Sequence, residues 1–148
     1  MTLYVGLKAL HLLGLATFLF AHGVSGGTAF ALRGPISAAT RRWLRLSMVA
    51  NMVADPALLV VIVTGVWMAF MGSWWGRGWI WAAIVVLVAL IAAMFIVVAR
   101  PYYAARDSAG KSDQELAQAL APARPVAAVW IGSVGLVILI GLMVLKPF

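Results

Sequence analysis

The chain has no cysteine, only four acidic residues and only two histidines among its 148 residues. Without cysteine there are no disulfides, thiolate zinc sites, iron–sulfur clusters or thiol nucleophiles. Charge is also scarce, at 10% of residues, where a soluble domain carries about a quarter. No phosphate-binding glycine loop, metal-hydrolase motif or nucleophile triad occurs, so soluble-type enzyme chemistry has no motif to rest on. What the chain has is hydrophobicity: 65% apolar residues and a mean hydropathy of +1.05. A compact soluble fold of this length cannot hide so much apolar surface. The composition is that of a membrane protein, read as one domain over residues 1–148. The net charge of +7 does not point to nucleic acid, because the basic residues sit between apolar runs.

Four runs are long enough to cross a bilayer, which takes about 20 residues per helix. They are Leu3–Leu32, Ser47–Met71, Trp79–Ala99 and Val126–Leu145. The predicted fold is all-α, an integral membrane four-helix bundle. The first run lacks a basic leading segment and an A-x-A cleavage site, so it reads as a retained helix. Arg33, Arg41, Arg42 and Arg45 follow the first run, and Arg100, Arg106, Lys111 and Arg124 follow the third. Only Lys8, Arg77 and Lys146 lie towards the other side. Because cytoplasmic loops are basic, both termini are expected outside, on the periplasmic side of a bacterial inner membrane. Trp74, Trp75, Trp79 and Trp81 then form an outer interfacial belt. Ser112-Asp113-Gln114-Glu115 has capping-box spacing and predicts a short surface helix ended by Pro122 and Pro125, expected as a solvated connector. No internal repeat is evident.

Ionisable groups at membrane depth are costly, which makes each a functional candidate. Lys8 lies close enough to an end to snorkel to the headgroups. His11 and His22 share a face of the first helix, since eleven residues at about 100° each return within about 20°. At 1.5 Å per residue they stand about 16 Å apart, too far to bind one iron. Gly14, Ser25, Gly26 and Ala29 leave room beside them for a helix or a flat cofactor. The same helix carries Gly23-x-x-x-Gly27, which packs helices without any ligand, and histidine can itself make an interhelical hydrogen bond. In the second helix Pro56 predicts a kink beside Asp55. Counted from the basic loop, His22 and Asp55 lie at matching depth, about 15–16 Å along antiparallel helices. His22 and Asp55 are therefore expected to pair directly or through one water. Met48, Asn51, Met52 and Asp55 share one face of that helix.

Leu7-Lys-Ala-Leu-His11-Leu-Leu-Gly14, Asp55-Pro56, Val63-Thr-Gly65-Val-Trp67 and the terminal Leu142-Met-Val-Leu-Lys-Pro-Phe148 resemble a family of small bacterial predicted integral membrane proteins of uncharacterised function. The segment around His11 also resembles the first helix of HemJ-type protoporphyrinogen oxidases and of CopD-type copper-resistance membrane proteins. The HemJ resemblance implies haem b held by a histidine of helix 1, here His11, and a lysine early in the third helix. This chain has Trp79-Ile80-Trp81 there, so the oxidase activity does not carry over. The CopD resemblance implies copper held by histidine and methionine.

Three functions follow as expectations. The first is haem-b binding for electron transfer or haem handling, with His11 and His22 as axial ligands and Asp55 behind them. Met52 is the alternative axial ligand. Two-histidine ligation then requires a homodimer or a foreign subunit, because the only two histidines are far apart on one helix. The second is a non-catalytic accessory subunit of a larger membrane complex, packed through Gly132, Gly135 and Gly141. The third is copper handling at a soft site of His22, Met48 and Met52.

Overall fold

The structure is a computed structural model that describes residues 2–147. It is 86% helical, with no strand among the described residues. Helix α1 runs Thr2–Ala31 and α2 Ala38–Met71. A single 3-10 turn at Trp74–Gly76 leads into α3, Gly78–Met94. A π-helical turn at Phe95–Ala99 joins α3 to α4, Arg100–Asp107. The short α5, Asp113–Leu120, precedes α6, Pro125–Leu145. Four of these segments are long and apolar enough to span a membrane: Leu3–Ala31, Ala38–Met71, Gly78–Val97 and Pro125–Leu145.

Helix α2 begins nine residues before the apolar run does, at Ala38 rather than Ser47. The added turns carry Arg41, Arg42 and Arg45, which end the hydrophobicity but not the helix. Ser37 starts it, its backbone N–H donating to Thr40 Oγ1 at 3.0 Å. Helix α2 continues through Pro56 to Met71. The chain also stays helical past Ala99, the expected end of the third run. Pro101 lacks an N–H and its ring opposes the carbonyl four residues back. The wider π turn just before it coincides with that misfit.

The helices associate as two antiparallel pairs, α1 with α2 and α3 with α6, joined by a lighter contact of α1 with α6. The α1–α2 seam repeats at alternating spacings of three and four, as in a coiled coil. It uses His11, Gly14, Phe18, Ala21, Ser25 and Thr28 of α1 and Leu32 just beyond its end. Ala21, Thr28 and Leu32 are buried on it. Small residues let the backbones approach closely: a Cβ at Gly14 would stand 3.2 Å from Val60 and Val61. Gly23 and Gly27 face open space instead, so their motif packs nothing within this chain.

A cluster of buried residues closes the basic end of the bundle. Ala29, Leu32 and Leu44, at the basic ends of α1 and α2, pack with Tyr102 and Ala105 of α4 and Leu116 and Leu120 of α5. Leu44 and Leu116 are the largest fully buried side chains. Helix α5 is thus more than a solvated connector. Its two leucines close a small cap over the basic end of the bundle. Arg41 ties the cap down, donating to the carbonyls of Ala109 and Lys111 and pairing with Asp113 at 2.7 Å. Burial pushes the Tyr102 phenol up, against the opposing effect of nearby Arg33.

Candidate functional site

The α1–α2 seam brings together residues that the sequence kept apart. His11 Nδ1 lies 3.0 Å from Thr64 Oγ1. Thr64 Oγ1 itself stands 2.6 Å from the Val60 carbonyl and donates its one hydrogen there. The hydroxyl therefore accepts from His11, and the neutral ring carries its hydrogen on Nδ1. This tautomer is assigned from the hydrogen-bond network. It leaves the Nε2 lone pair without a hydrogen-bond partner among the described residues. Gly65 makes room for the ring: a Cβ there would sit 3.2 Å from His11 Cε1. Two of the short motifs quoted above, one around His11 and one around Thr64 and Gly65, are thus the two halves of one contact.

Eleven residues further along α1, His22 stacks on Phe18, with ring centroids 5.1 Å apart and an interplanar angle of 17°. The pairs His11–Thr64 and Ser25–Ser47, the latter at 3.1 Å, fix the antiparallel register. At that register His22 stands level with residues 50–53, two to five residues short of Asp55. The direct His22–Asp55 pair is not formed. Among the described residues the one ion pair is Arg41–Asp113, and Asp55 is exposed on the flank of α2.

Met52 is two residues from both Ala50 and Ala54, which are buried on the seam. Two residues turn a helix by about 200°, so Met52 points almost directly away from α1. It is 64% exposed, and Met48 is exposed as well. The structure does not bring Met52 to His22 within one chain. No cluster of three or more His, Asp or Glu side chains able to hold a metal occurs among the described residues.

Towards the basic end the seam becomes a chain of hydroxyls. Thr28 Oγ1 donates to the Ser25 carbonyl at 2.7 Å, and Arg106 Nη2 reaches Ser47 Oγ at 3.5 Å. At the opposite end the tryptophans gather. Trp74 packs on Trp79 and edge-on to Tyr4, while Trp75 packs on Phe70 and Trp81. The start of α1 and the end of α6 meet there, since the Lys146 ammonium lies 4.7 Å from the Trp74 ring centre. In α6, Gly135 is closed by Leu90 of α3, whereas Gly132 and Gly141 face open space.

Four apolar spans, with arginines gathered at one end and the cluster of Trp74, Trp75, Trp79 and Trp81 at the other, define an integral membrane protein. The start of α1 and the end of α6 both lie at the tryptophan cluster. Over residues 5–147 the chain matches the family described as predicted integral membrane protein (DUF2269), and it belongs to that family. No curated protein and no solved structure matches it.

Proposed function

We propose that this protein binds haem b in the membrane, for electron transfer or haem handling, with His11 Nε2 as an axial ligand. The His11–Thr64 hydrogen bond carries the reading. A histidine that ligates a metal through one nitrogen almost always donates its other N–H to a fixed acceptor, which sets tautomer and ring orientation. Thr64 is such an acceptor, itself held by the Val60 carbonyl. Gly65 supplies the space in which the ring keeps its plane. The donor set fits iron, for which imidazole is a suitable ligand. Haem, when bound, supplies one-electron chemistry. The chain's own residues orient the ligand imidazole.

His22, half-buried on the same face and stacked on Phe18, is the second candidate ligand. His11 and His22 lie too far apart on one helix to hold one iron together. If haem is bound, a second copy or another membrane subunit would supply the other ligand. The outward direction of Met52 favours such an intermolecular ligand over His22–Met52 ligation within one chain. The same direction weighs against copper held by His22, Met48 and Met52. In this reading the basic cap faces the cytoplasm of a bacterial inner membrane.

The test is an absorption spectrum of protein purified in mild detergent from haem-replete cells, with iron and copper measured on the same sample. A Soret band with stoichiometric iron supports the proposal. Colourless protein that co-purifies with a large membrane complex contradicts it and favours the accessory-subunit function.

A further inference from the structure

At the tryptophan end, the turn between α2 and α3 and the end of α6 enclose a cleft of about 450 Å³ lined by Ser73, Trp74, Arg77, Trp79 and Lys146. Two cations line it, and neither has an acidic partner among the described residues. The four acidic side chains of the chain are elsewhere: Asp55 along α2, and Asp107, Asp113 and Glu115 in or beside α4 and α5. The cleft is therefore a concentration of positive charge at the end of the molecule with the fewest charges.

The cleft is built rather than incidental. Lys146 is held over both Trp74, at 4.7 Å, and Trp79, at 5.6 Å from the ring centres. Such contacts restrain a side chain that otherwise samples many rotamers. Trp74 in turn packs against Gly72, where a Cβ would collide with the indole. Only two described non-glycine residues have left-handed backbone, Ser73 at φ 52° and Lys146 at φ 46°, and both line this cleft. That conformation is unfavourable for a residue with a side chain and concentrates at ligand clamps. Glycine would cap α6 with less strain, but only lysine brings an ammonium to the two rings.

We infer that this cleft binds the phosphate of an anionic phospholipid headgroup, with Lys146 and Arg77 as its cationic clamp. The depth selects a lipid: the cleft lies where the apolar spans end, among tryptophans that favour the headgroup region. Arg77 offers the planar donor fork that suits phosphate oxygens, and Lys146 a point charge on the other side. The α2–α3 turn and the α6 terminus are then bridged by a lipid.

Native mass spectrometry of delipidated protein in dodecyl maltoside tests this, with phosphatidylglycerol, phosphatidylcholine or inorganic phosphate added separately. The wild-type chain retains one phosphatidylglycerol in preference to phosphatidylcholine. Lys146→Gln and Arg77→Gln each weaken retention about tenfold, the loss of one charge-assisted contact. Lys146→Arg preserves it, and Arg42→Gln at the opposite end leaves it unchanged. Unaltered retention in the Lys146→Gln, Arg77→Gln double variant overturns the inference. So does equal retention of phosphatidylcholine. Displacement of the lipid by inorganic phosphate overturns the lipid assignment and makes the cleft a site for a soluble phosphate.

Discussion

His11 donates through Nδ1 to Thr64 across the α1–α2 seam at 3.0 Å, and Thr64 passes its own hydrogen to the Val60 carbonyl. The two bonds together fix the direction of the imidazole and leave Nε2 without a hydrogen-bond partner among the described residues. A threonine inside a helix usually spends its hydroxyl on its own backbone. Here the spent hydroxyl has become a dedicated acceptor.

Thr64→Val keeps the shape of the side chain and removes that acceptor. The expected result is a fold of unchanged stability to within about 1–2 kcal/mol, the net value of one hydrogen bond. Haem affinity falls about 10- to 100-fold, as when a ligand histidine loses its orienting partner. Haem titration of the apoprotein, alongside thermal unfolding, separates the two effects.

The cap is where single truncations cost most. Leu116 is fully buried between α2 and α4, so Leu116→Ala leaves a cavity and costs about 2–5 kcal/mol. Val137, 70% exposed on α6, gives the contrast: Val137→Ala shifts stability by about 0.5 kcal/mol or less. Unfolding in mixed detergent with both variants checks the difference.

The start of α5 responds to acid. Ser112 donates through its hydroxyl and backbone N–H to the Glu115 carboxylate, at 2.8 Å and 3.1 Å, and holds it below the usual carboxylate range. A depressed folded-state pKa means that the stabilisation is present above the unfolded-state value. It is lost as pH falls through the lowered one. Amide exchange in the first turn of α5 therefore speeds up, beyond the intrinsic trend, as pH falls through that value. In Glu115→Gln the cap amides lose this extra dependence.

Orientation follows from the arginines. Eight of the eleven basic residues flank the α1–α2 connection or lie between α3 and α6, the end that carries the cap. Periplasmic alkaline phosphatase fused to the C-terminus is expected to be active, and a cytoplasmic reporter at the same point inactive. The reverse pattern contradicts this topology.

The four spans were legible in the sequence because about 20 consecutive apolar residues have few other uses. Their ends were not. Arg41, Arg42 and Arg45 lower hydropathy while remaining good helix formers, so the first turns of α2 were hidden by charge. The capping box of α5 was legible from Ser112 and Glu115 alone, but the burial of Leu116 was not, because its partners Leu44 and Tyr102 are distant in sequence. At the candidate site both histidines and their common face could be read from spacing. The expected His22–Asp55 pair rested on depth alone, and depth does not say which way a side chain points. Asp55 is turned to the flank of the seam. Thr64 went unrecognised because a threonine in an apolar run carries no charge to notice. Its signal lay in the register, which sets it opposite His11, and in Gly65 beside it.

The central claim is that a histidine of α1, His11 first, holds haem iron through Nε2. The most direct measurement is haem per chain, by pyridine haemochrome, in wild type, His11→Ala and His22→Ala purified side by side. The account predicts that His11→Ala loses its haem while still migrating as folded protein, and that wild type binds haem only as a dimer or with a partner subunit. Haem content unchanged in both variants contradicts histidine ligation altogether.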